Sequence, residues 1–202
     1  MSRNVLCVWG LLIATGTLAT GCAKAPQQAV QDARAAVDSA RVAEALLYAP
    51  EQYRAAADSL DAAMAAITQQ ESRNAMRRNF GVAERQLQAA ESAARTAVTA
   101  AAENKAKAIA RADEQLAMLQ QGIENARNLL GQAPKGKDGA AALESIKTDL
   151  TAVELSLVQA TEARDKADYL GAAELAGAAA AKAQSLSAEL TQAIEKKKLA
   201  KR

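Results

Sequence analysis

Along most of the chain, apolar residues recur at alternating steps of three and four with polar residues between them. That spacing lays one apolar stripe along a helix that packs against neighbours at a low crossing angle. Helix 1 is predicted over 28–47, with Val30, Ala33, Val37, Ala40 and Leu47 on its stripe. Pro50 stops it and opens helix 2 at a first-turn position, where a missing N–H loses no helical partner. Helix 2, predicted over 50–72, carries Tyr53, Ala57, Leu60, Met64 and Ile67, and a polar tight turn is read at Gln69 to Asn74. Helix 3 is then predicted unbroken over 75–131, about 85 Å at the α-helical rise. Its first seam is Met76, Phe80, Ala83, Leu87, Ala90, Ala94 and Ala97; its second is Ile109, Ala112, Leu116, Leu119, Ile123, Ala126 and Leu130. The two are out of phase, with the slip near Glu103-Asn104-Lys105. Gly131 to Gly136, with Pro134, ends the helix. Helix 4 over 138–164 shows Leu143, Ile146, Leu150, Val153, Leu157 and Ala160; helix 5 over 166–198 shows Tyr169, Ala173, Ala176, Ala180, Ala183, Leu190 and Ile194. Only the polar stretch Glu162 to Lys166 separates these two, and one continuous helix is the alternative.

The pattern differs at the start. Arg3 precedes an apolar run from Val5 to Ala19, matching the basic and hydrophobic regions of an export signal and too short for a comfortable membrane span. The run ends in Leu18-Ala19-Thr20-Gly21-Cys22, which resembles the lipobox of bacterial lipoproteins, with alanine three before the cysteine where leucine is commoner. The resemblance implies cleavage between Gly21 and Cys22, a diacylglycerol thioether on Cys22 and N-acylation of the new terminus. A plain signal peptide with an incidental cysteine is the alternative. Ala23 in place of aspartate implies, by the same resemblance, sorting to the Gram-negative outer membrane. Residues 1–21 are therefore assigned to a signal peptide and 22–27 to a lipidated tether.

Composition narrows the chemistry. Alanine fills 54 of 202 positions and only five residues are aromatic, a balance that belongs to long helices rather than sheets. Alanine has the highest helix propensity and buries little, so seams lined with it give a thin rod with a narrow core and little room for a ligand pocket. Histidine is absent, which removes the commonest general base and metal ligand. Cys7 leaves with the signal and Cys22 is capped, so no disulfide is available to the processed chain. The formal charge is +2, or +1 without Arg3, and marks no nucleic-acid binder.

A larger period is also visible. Leu60 and Leu150, Ile67 and Leu157, and Phe80-Gly81 and Leu170-Gly171 each stand 90 apart, and Val30 to Arg34 resembles Ile123 to Arg127 at an offset of 93. The expected architecture is all-α: an elongated antiparallel helical bundle or coiled coil. It comprises two fused three-helix units, 28–108 and 109–202, that share one long central helix.

Candidate sites are few. Asp58 with Asp61 and Asp113 with Glu114 read as solvated carboxylates rather than an acid–base pair, and no nucleophile set, phosphate loop or metal spacing appears. Tyr48 and Tyr53 are expected to clamp the corner around Pro50. Arg73, Arg77 and Arg78 fall at the helix 2–3 turn and are candidates for contact with anionic head groups, the alternative being a solvated turn. Lys196, Lys197, Lys198, Lys201 and Arg202 are candidates for an anionic wall polymer, or else simply offset the dipole of the last helix.

Tyr48-Ala49-Pro50-Glu51-Gln52-Tyr53, followed by Ala56, Leu60 and Ala63, resembles the domain of unknown function 4398 of alanine-rich bacterial envelope lipoproteins. The likeness covers about 28–100. Some members carry a peptidoglycan-binding domain, and nothing after Gly131 resembles one. The expectation is a non-catalytic, cofactor-free lipoprotein on the periplasmic face of the outer membrane, anchored through Cys22, with a structural or scaffolding role. Peptidoglycan, an envelope protein complex or a second copy are the expected partners. An accessory module docking by a helical face on a transport, secretion or wall-synthesis complex is the alternative.

Overall fold

The computed structural model describes residues 24–133 and 140–200. Six α-helices follow in order: α1 (Gln27–Val42), α2 (Ala45–Tyr48), α3 (Pro50–Glu71), α4 (Gly81–Gln132), α5 (Ala140–Asp165) and α6 (Tyr169–Ala200), with a short 3-10 turn at Ala75–Arg77 before α4. The protein is an all-α bundle, and among the described residues no helix is long and apolar enough to cross a membrane.

α4 organises the rest. Its 52 residues make one helix of about 78 Å. The first half packs against α1 and α3. Ala33, Ala63, Ile67, Phe80, Ala83, Leu87 and Ala90 share one cluster at its start, and Ala40, Ala56, Ala94, Ala97 and Ala101 share the next. These pairings run α1 parallel and α3 antiparallel to α4. The second half packs against α5 and α6. Arg127 pairs with Glu154 and Asp113 with Arg164, so α5 is antiparallel. A Cβ on Gly122 would lie 3.0 Å from that of Ala183, and Ala112 clusters with Ala172 and Ala173, so α6 is parallel. From that Gly122–Ala183 contact, α4 runs about 15 Å further and α6 about 26 Å. Both α5 and the last turns of α6 therefore run past the end of α4, bringing the rod to roughly 90 Å.

The seams follow the sequence with instructive departures. Buried positions of α4 step 80, 83, 87, 90, 94, 97, 101 in heptad rhythm, then continue through half-buried Lys105 to 108, 112, 116 and 119. That second series is 4-3-4-4-3, an eleven-residue spacing. A heptad seam drifts relative to a straight helix and the longer repeat drifts the other way. The change of rhythm rotates the buried stripe and hands it from α1 and α3 to α6 with no break in the helix.

Two expected elements are corrected, and the boundary between helices 4 and 5 holds where it was expected. Helix 1 stops at Val42, not Leu47, because Glu44 takes a left-handed conformation (φ 59°) and α2 is a separate single turn; Leu47 is 57% exposed. The long helix starts at Gly81, not at 75, and Met76 lies outside its seam at 94% exposure. Helices 4 and 5 are separate: Ala167 turns left-handed (φ 62°), and the Asp168 carboxylate accepts the Gly171 N–H at 3.0 Å to start α6. Glycine at 171 leaves room for that carboxylate, since a Cβ there would sit 2.3 Å from it and displace it. The Pro134–Gly136 stop lies outside the described residues.

The halves are built from different stock. Toward the α4 start, the buried residues are alanines anchored by Tyr48, Ile67, Phe80 and Leu87. Toward the α4 end, Leu116, Leu119, Ile123, Ile146, Leu150, Val153, Leu186 and Leu190 make an aliphatic core.

Candidate functional sites at the poles and waist

The first pole gathers the start of α1, the end of α3 and the start of α4. Ala25 and Ala29 pack against the cluster of Ile67, Phe80 and Ala83, so the chain enters the rod at the α3–α4 turn. Cys22 and Gly21 lie outside the described residues, three and four positions before Ala25. The turn is built by side-chain capping. Arg78 donates through Nε to the Arg73 carbonyl (3.1 Å) and through Nη2 to the Glu71 carbonyl (2.9 Å), satisfying backbone groups that the end of α3 leaves open. Asn79 N–H donates to Gln70 Oε1 (3.0 Å), and Asn79 Oδ1 accepts the Gly81 N–H (2.9 Å). Of the three arginines singled out in the sequence, Arg78 is thus half-buried and engaged with backbone. Arg73 and Arg77 are exposed, belong to no ion pair among the described residues, and line an open hollow of about 440 Å³ with Ser72 and Asn74.

The waist holds α2 against the middle of α4. Asn104 Nδ2 donates to the Tyr48 carbonyl at 2.7 Å, Lys105 Nζ donates to Glu44 Oε2, and the same ammonium stands 5.8 Å from the Tyr48 ring centroid. Tyr48 is 6% exposed, and burial, followed by the Glu44 charge, pushes its hydroxyl pKa above the ordinary value. The hydrogen bond to Glu44 raises that of Lys105. Tyr169, at the start of α6, packs against both the Tyr48 cluster and Ala112–Ala172–Ala173, so the two halves meet here. Tyr48 clamps the corner as expected, while Tyr53 is partly buried against the same cluster. The clamp's partners on α4 and in Glu44 escaped sequence reading, although the polar Glu103-Asn104-Lys105 interruption of a long seam was their signal.

The far pole holds the last turns of α6. Lys196, Lys197 and Lys198 are exposed there beside Leu199 at 70% exposure, and none of the three lysines is ion-paired among the described residues. Lys201 and Arg202 lie outside the described residues. The structure therefore puts the two candidate cation groups at opposite ends of the rod and does not bring them together.

Between the poles, Asp58, Asp61, Asp113 and Glu114 are all exposed, and Asp113 accepts from Arg164 Nε at 2.6 Å across the α4–α5 face. That hydrogen bond raises the Arg164 pKa further. Among the described residues, no three Cys, Asp or Glu side chains gather as a metal site. A hollow of about 530 Å³ is an open groove between α4 and α5 over Ile123, Leu157 and Val158, crossed by the Arg127–Glu154 pair. A scan against protein-family models matches nothing, and comparisons with curated proteins and with solved structures likewise return no match.

Proposed function

We propose that this protein is a lipid-anchored spacer of the bacterial envelope. Acylated Cys22 holds it to the periplasmic face of the outer membrane, and the helical rod presents its far end about 90 Å away. The role is structural or scaffolding, without catalysis. The observation that carries the reading is where the chain enters the rod: the segment following the lipobox-like cysteine joins at one pole, and a single uninterrupted helix runs from that pole toward the other. The Tyr-Ala-Pro corner that resembles the domain of unknown function 4398 adds support for an envelope lipoprotein. The exposed lysines at the end of α6 suit an anionic wall polymer such as peptidoglycan. Mass spectrometry of the N-terminus from membrane fractions tests the anchor. A triacylated Cys22 is expected, with Cys22→Ser releasing the protein into the soluble fraction; an unmodified terminus at another residue overturns the reading.

A second reading, an accessory module docked on an envelope complex, is favoured by the exposed apolar residues Val42, Leu46 and Leu47 beside the waist. In-cell photocrosslinking from position 46 separates the two: one stoichiometric protein adduct supports the module, and adducts to no discrete protein support the spacer.

A further inference from the structure

The short tether constrains what the anchor pole must touch. Three peptide steps separate Cys22 from Ala25, a reach of at most about 10 Å. Ala25 is already packed beside Ile67 and Phe80. If Cys22 is acylated, as the spacer reading holds, the α3–α4 turn cannot stand clear of the head groups. That turn has the composition of a membrane contact. Met76 projects from it at 94% exposure, a flexible apolar side chain with no partner in the bundle. Arg73 and Arg77 flank it around an open polar hollow, where the Asn74 amide adds donors. Lys24 is exposed on the neighbouring strand of tether. Arg78 and Asn79 fix the turn through bonds to α3, so the tip is a preorganised shape.

We propose that the α3–α4 turn is a bilayer-docking surface: Arg73 and Arg77 bind the phosphodiester of an anionic phospholipid in the hollow, and Met76 enters the acyl boundary. Guanidinium groups match phosphate oxygens in a fixed fork geometry. Each cation near an anionic surface favours contact by about fivefold, so the pair contributes about 30-fold. Contact at the tip, added to the acyl chains at the tether, fixes the rod at two points and sets its tilt rather than merely its location.

The test uses the absence of tryptophan beyond Trp9. The chain from Cys22 onward contains every helix of the described residues and one thiol, and coupling that thiol to a maleimide lipid anchors it whether or not cells acylate it. Met76→Trp and, at the waist, Val42→Trp are compared on vesicles of phosphatidylcholine with phosphatidylglycerol and brominated acyl chains. Severalfold quenching of the Met76→Trp indole with none of Val42→Trp is expected. Adding Arg73→Gln and Arg77→Gln reverses it by about 30-fold in the docking equilibrium, as does omitting phosphatidylglycerol. An unquenched Met76→Trp, equal quenching at both positions, or indifference to the arginine changes overturns docking. Circular dichroism melts show that each variant is folded. Because the lipid is attached chemically, a failed docking result stands apart from a failed anchor, which the mass of the cellular N-terminus reports.

Discussion

Gly122 and Gly177 are both interior to helices of the α4–α6 interface, yet their surroundings differ. A Cβ on Gly122 would meet the Cβ of Ala183 at 3.0 Å, a methyl fixed to a helix backbone. One on Gly177 would meet the Gln115 Oε1 at 3.0 Å, the far end of a side chain that can swing away. Alanine gains about 1 kcal/mol over glycine in a helix interior, and overpacking a seam costs about 1–3 kcal/mol. Gly122→Ala is therefore expected to destabilise by about 1 kcal/mol and Gly177→Ala to stabilise by about as much, read from urea unfolding midpoints. At this scale the sequence was legible at the large anchors Phe80, Leu87, Leu116 and Leu150, all buried where the period places them, whereas Leu60 and Tyr53 are only partly buried. It was illegible where an ordinary residue does a glycine's work. Glu44 and Ala167 adopt left-handed backbone at a cost of about 1–2 kcal/mol each, and no composition signal marks them. Met76 fits the helical period by number alone, but Arg78 ties the turn to the end of α3 and Asn79 accepts the Gly81 N–H, so the helix starts after it.

Among the elements, the corner between α1 and α3 has the least packing of its own, since α2 is one turn long. It depends on α4 through Asn104 and Lys105. Lys105 and Tyr48 both hold their protons more tightly in the folded chain than in the unfolded one. The stabilisation from each is complete below its unfolded pKa, about 10, and is lost as pH rises through the folded value. Stability should therefore fall as pH rises above about 10, and Lys105→Met should flatten that slope while lowering stability at about pH 8. Thermal melts across the range check both. The central helix itself was readable from the chain, including its end and the neighbourhood of its phase change, though not its start. How the phase changes was not, because the eleven-residue rhythm passes through a lysine whose stem is half-buried against Tyr48. The split of helix 1 was hidden for a related reason: Leu46 and Leu47 continue its apolar pattern yet face outward.

For the whole molecule, two helical sets strung along one spine give a shape far from compact. A rod of about 90 Å has a radius of gyration near 26 Å, against about 16 Å for a compact domain of this length. Small-angle X-ray scattering of the unacylated chain from Cys22 onward should return the larger value, and the smaller would mean that the halves fold back on each other. The rod, its two-part construction and the end at which the chain enters all follow from helix lengths and turn positions. The docking tip does not, since its hollow exists only once α3 and α4 are brought together. The parallel course of α1 and α4 has a mechanical consequence. Tension between a fixed point before α1 and a load on the tail of α6 pulls neighbouring parallel helices past one another lengthwise. Rupture in that geometry must slide a whole row of interlocked methyls at once rather than peel them singly, so a seam of small side chains can resist a steady pull better than its modest buried surface suggests.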